Sequence, residues 1–180
     1  RVRLPLRQAQ GKLWRQGEWL AQTFALARQA AAPKPPSTAT YLGLLIYTLP
    51  LEEASAALQR LNFPRAVEQA LRDVGHLKAA LSDLAQPDLP ASAVTRRLAA
   101  FDLAAVEVCA LASDDSTLRE RLRRYLTEWR HVRPVLDGHD LARLGVSPGP
   151  QMGQMLKALH EARLDGLVRS REDEEAWVRR

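Results

Sequence analysis

Cysteine is nearly absent from this chain. Cys109 is the only one in 180 residues, so no intrachain disulfide can form and a thiolate metal site lacks partners. A reducing, cytoplasmic home is expected. Histidine is scarce too: His76, His131, His139 and His160 never fall in an H-x-H or H-E-x-x-H spacing, which argues against a built-in metal site. Long apolar runs are missing. The stretch around Tyr41 to Leu49 is the longest, far short of the roughly 20 residues that span a bilayer. No membrane segment is expected. The chain opens at Arg1, without a charged region followed by an apolar one, which argues against an intact secretory signal and suggests a piece of a longer protein.

Strand-like alternation bounded by turn residues is equally hard to find, whereas helical periodicity runs nearly throughout. The expected fold is all-α, a bundle of short-linked helices with a C-terminal helix-turn-helix-like tail. Hydrophobic residues at 46% against 26% charged are ordinary for a globular chain, so disorder is not the default. The net charge of +5 makes a polyanion partner worth testing, although an Arg-, Ala- and Leu-rich composition produces the same excess without one.

Proline clusters set the divisions. Residues 1–36 form an N-terminal helix, with Arg1, Arg3, Arg7, Lys12 and Arg15 ahead of the first acid at Glu18, and end in a connector stiffened by Pro33, Pro35 and Pro36. Residues 37–112 form a helical body. Its longest helix, about Pro64 to Leu84, carries the stripe Val67, Ala70, Leu71, Val74, Leu77, Leu81 and Leu84, with His76 pointing away; Cys109 reads as a small core residue. Residues 113–180 form a helical tail.

Within the tail, one helix from about Asp115 to His131 is two-faced. Leu118, Leu122, Tyr125, Leu126 and Trp129 share a stripe, and Arg119, Arg123 and Arg130 project within roughly 40° of one another at about 100° per residue. That predicts a basic ridge suited to phosphates, or equally a solvated face whose Arg stems cover core. Further on, Ser147 is a good N-cap and Pro148 suits the first helical position, so a helix start is expected there. Met152, Met155, Leu156 and Leu159 then recur on one face. The amides of Gly149 and Gln151 could meet a phosphate or only water. Gly153 costs about 1 kcal/mol in a helix interior, which predicts close approach of another backbone or a ligand.

The pattern Gly138-His139-Asp140-Leu141, Leu144-Gly145, Pro148-Gly149-Pro150, Gly153, Leu156, Ala162 and Gly166 resembles the C-terminal region of bacterial class II tRNA nucleotidyltransferases, the family that also contains bacterial poly(A) polymerases. The resemblance is strong over about 30 residues and looser from Tyr41 to Arg133. It implies a body-and-tail fragment that binds tRNA or another structured RNA and positions the 3′ end for a catalytic head carried elsewhere. Cofactors are implied for that head alone, Mg²⁺ with ATP or CTP, and none for this segment. A homodimer is compatible with the reading. Members often carry basic residues where this chain has His139 and Ser147, so the corner here is less positive.

Catalytic residues are absent by this reading. Two-metal phosphoryl transfer needs carboxylates spaced to hold two ions about 4 Å apart, whereas Asp114-Asp115 sit in a cap-forming turn and Glu172-Asp173-Glu174-Glu175 follow Ser170 as the acidic first turn of a terminal helix. Two other classes compete. A helix-hairpin-helix DNA binder would want a Gly-hydrophobic-Gly loop where this chain has Gly145-Val146-Ser147, and a helical protein-interaction domain would carry its basic charge incidentally.

Overall fold

The protein is all-α: a computed structural model describes residues 6–61 and 63–179 and contains ten α-helices and no strand among them. The helices gather into two compact units that alternate along the chain, one from residues 1–85 and 101–123 and the other from residues 86–100 and 124–180. No helix among the described residues is long and apolar enough to cross a membrane.

The first unit contains α1 (Leu6–Ala31), α2 (Thr38–Tyr47), α3 (Leu51–Arg60), α4 (Arg65–Leu84) and α6 (Leu103–Ala112). Its core joins Ala27, Leu44, Val74, Ala105, Val108 and Ala112, flanked by Trp19, Phe24, Tyr47 and Leu111. The α4 stripe is buried at Ala70, Leu71, Val74, Leu77 and Leu84, with His76 exposed, as its 3.6-residue period requires. Cys109 is fully buried, and burial pushes its thiol up to about 12. A close approach occurs at Gly43 of α2, where a Cβ would lie 2.7 Å from Val108 Cγ2 and 3.3 Å from Val74 Cγ2. α2 thus meets both α4 and α6 through a position that has no side chain.

Polar groups close the helix ends. Ser37 accepts from the Thr40 amide at 3.0 Å, and the Thr40 hydroxyl donates to Glu107 at 2.8 Å. Asp102 caps α6, and its own amide donates to the buried Asp73 at 2.8 Å. The bonds to the Thr40 and Asp102 amides satisfy donors at helix starts that have no partner within their own helix.

The second unit contains α5 (Ala91–Leu98), a 3-10 turn (Trp129–His131), α8 (Gly138–Arg143), α9 (Pro150–Leu164) and α10 (Arg171–Val178). Its core is Leu136, Leu141 and Leu159, covered by Leu144, Val146, Met152, Met155, Leu156, Trp177 and Val178. α5 lies along α9, held at one end by Asp165, which accepts from the Ser92 amide at 2.8 Å and the Ser92 hydroxyl at 2.7 Å.

Candidate nucleic-acid interface

The helix that carries Arg119 and Arg123 is α7 (Ser116–Thr127), which opens at Asp115, whose carboxylate accepts from the amides of Thr117 and Leu118 at 2.8 and 3.0 Å. It is shorter than its periodicity predicts. Glu128 leaves the helical region at φ −122°, ψ −67°, and Trp129 to His131 form the separate 3-10 turn. Arg130 therefore does not continue the helical row of Arg119 and Arg123. No Gly or Pro marks the break, which follows instead from local packing: Trp129 is buried, and the Arg124 guanidinium lies 5.1 Å from its ring.

Each ridge arginine has an intramolecular partner. Arg119 donates from Nε and Nη2 to the Ser113 carbonyl at 3.1 and 2.7 Å, satisfying an orphan acceptor at the end of α6. Arg123 pairs with Glu120 at 2.9 Å, and Arg130 Nε donates to His131 Nε2 at 2.9 Å. Arg119 thus has a structural task that helical spacing does not reveal, while Arg123 and its partner remain exposed.

The corner is built from the backbone outward. Asp137 starts α8 with a capping box closed by Asp140. Asp140 also binds Arg143 and, at 2.7 Å, Arg171 of α10. The Asp137 amide, followed by these guanidiniums, holds its carboxyl at about 2. After α8 the chain turns at Gly145, φ +93°, with the Gly145 amide donating to Ala142 and the Val146 amide to Leu141, both at 3.0 Å. Those two amides are consumed inside the turn, so they cannot serve a phosphate as a DNA-binding hairpin would require.

The expected helix start at Ser147-Pro148 is displaced. α9 begins at Pro150, with Gly149 as its N-cap at φ +135°. The reason lies in the Pro-Gly-Pro sequence itself, since a residue before proline is pushed out of the α region and two such steps delay the helix until the second proline. The amides of Gly149 and Gln151 donate to no backbone carbonyl among the described residues.

Gly153 is exposed, and a Cβ there would meet nothing within 4 Å. The expectation of close approach by another part of the chain is therefore wrong. Of the expected Met152, Met155, Leu156 and Leu159 face, Leu159 is fully buried and the other three pack half-buried against the same core, while Gly153 is exposed. A glycine met closely by neighbouring helices is Gly43, through the side chains of Val74 and Val108.

Two groups escaped sequence reasoning. Glu174, expected as one acid of the first turn of the terminal helix, does lie there and is fully buried; it accepts from the Val135 amide at 2.9 Å and the Leu136 amide at 2.9 Å and pairs with Arg163 at 2.6 Å. A signal existed, because Glu174 precedes Trp177 and Val178 by three and four residues and so shares their inward face. Trp177 shares that face. It lines an open groove of about 510 Å³ with Gly145, Val146, Ser147, Gln151, Gln154, Met155 and Ala158. Arg1 and Arg3 lie outside the described residues, as do the side chains of Arg7, Lys12 and Arg15. No group of three or more metal-ligating side chains occurs among the described residues.

No protein-family model matches this chain, and no curated protein or solved structure matches it.

Proposed function

We propose that the chain binds structured RNA, tRNA foremost, as a body-and-tail segment of the tRNA nucleotidyltransferase and poly(A) polymerase kind, and that it positions the RNA 3′ end for a catalytic head carried elsewhere. The head would use Mg²⁺ with ATP or CTP. The observation that carries this reading is the Gly138–Gly166 corner: its motif residues coincide with the α8 capping box, the Gly145 turn, the Pro-Gly-Pro start of α9 and the positive-φ Gly166 at its end. A net charge of +5 and the exposed guanidinium of Arg123 support a polyanion partner. The Gly149 and Gln151 amides and the open backbone at Gly153 give the corner a face that a sugar-phosphate chain can approach closely.

A gel shift of the chain with folded tRNA, against duplex DNA of equal charge, tests the reading. Preference for tRNA is the expected outcome. Preference for the duplex would favour a DNA-binding module, and binding to neither would return the chain to the class of protein-interaction domains.

A further inference from the structure

The groove beside the corner has a chemistry of its own. Its lining contains an indole, a thioether, two carboxamides and a hydroxyl, and no charged side chain. An anion or a cation would find no counter-charge there. What fits is a flat, neutral group with a polar edge.

Trp177 packs half-buried against the Leu136, Leu141 and Leu159 core while also lining the groove, so one residue belongs to both. Aromatic side chains at a protein surface are the usual stacking surface for unpaired bases. Gln151 and Gln154 sit three residues apart on α9, exposed, and neither carboxamide has a hydrogen-bond partner among the described residues. A carboxamide offers one acceptor and one donor edge, which matches the N6 donor and N7 acceptor of adenine. The volume, about 510 Å³, falls in the range of small-molecule sites. Gly145 holds the rim at φ +93°, a conformation that would strain any side chain. Lys157, three residues beyond Gln154 on α9, is exposed and lies outside the lining.

We propose that this groove takes an unpaired adenine of the bound RNA, stacked on Trp177 with its edge read by Gln151 and Gln154, a proposal that rests on the RNA-binding reading and deepens it. The step is recognition only, with no bond made or broken.

The test is a titration of the ¹⁵N-labelled full chain with an oligoadenylate hexamer, an oligouridylate hexamer and an abasic ribose-phosphate hexamer. The readout is the Trp177 indole N–H resonance, assigned by its loss in Trp177→Phe. Oligoadenylate should move this resonance, oligouridylate less, and the abasic chain not at all. Replacing Gln151→Ala and Gln154→Ala together should weaken oligoadenylate binding at least about tenfold with an unchanged melting temperature. An equal shift with the abasic hexamer, no shift with oligoadenylate, or full affinity in the double variant overturns the proposal. So does a resonance that moves with protein concentration alone, which would assign the groove to a second copy. A chain that shifts tRNA while Trp177 stays still loses the base site and keeps the RNA-binding reading; one that binds oligoadenylate at Trp177 but no tRNA loses the structured-RNA reading and keeps the site.

Discussion

Gly43 and Gly153 are both helical glycines, and substituting alanine should move stability in opposite directions. At Gly43 the added methyl meets Val108 Cγ2 at 2.7 Å, and Val108 is fully buried on a stiff, branched side chain. Overpacking of that kind costs about 1–3 kcal/mol, which outweighs the roughly 1 kcal/mol returned by better helix propensity. Gly43→Ala should therefore lower the melting temperature. Gly153 is exposed with open space around it, so Gly153→Ala should raise stability by about 0.5–1 kcal/mol. A pair of thermal melts checks both signs. The sequence shows why Gly153 misleads: a glycine beside an apolar stripe has the same local pattern whether a neighbour faces it or water does. Gly43 lies in a helix apolar on nearly every side, where no periodic signal singles it out.

The elements of the tail are joined by carboxylates. Asp140 starts α8, closes its own capping box and reaches Arg171 at the start of α10, so two helix starts share one anion. Its carboxyl is held from 3.8 down to about 2, meaning that the native state takes up that proton less readily than the unfolded chain does. The stabilisation is complete above the unfolded value and disappears as pH falls from about 4 towards 2. Asp173, lowered by the amides of Arg169 and Ser170, adds in the same direction. Asp140→Asn should lower the melting temperature near neutral pH and flatten its fall across that acid window, so that the variant and the parent converge near pH 2. Parallel melting curves against pH would show that Asp140 is not the group responsible. Capping of this kind was legible in part: Ser170 followed by acids announces the start of α10, and Met152 to Leu159 announce the buried face of α9. The break after Thr127 was not, because it depends on Trp129 and Arg124 packing against each other rather than on any breaker in the sequence.

For the molecule as a whole, helical periodicity gives the all-α class directly, whereas the grouping of helices depends on pairings between distant segments. Ser92 finds Asp165 across 73 residues, and no local pattern around either one points to the other. The same distinction governs the basic residues. Arg119 is committed to the Ser113 carbonyl, so Arg119→Gln should act mainly on melting, through the turn between α6 and α7. Arg123→Gln with Arg130→Gln should act on RNA. If, as proposed, the chain binds tRNA and these two guanidiniums meet phosphates, their loss should weaken binding and make log K against log salt shallower by roughly two units, because each contact releases condensed counterions. Fluorescence titrations at several salt concentrations measure that slope, and an unchanged slope in a folded variant would turn the RNA path away from these two positions.

Glu174 gives the residues before α8 a stability that they do not generate themselves. The amides of Val135 and Leu136 are held by a carboxylate 39 and 38 residues further along the chain, itself clamped by Arg163. Neither amide can exchange its hydrogen with solvent until that carboxylate withdraws. Glu174 is fully buried, so it cannot withdraw by a side-chain rotation into water and needs α10 to lift away. The loop and the final helix consequently open as one cooperative unit, with the loop amides protected to the depth set by docking of α10.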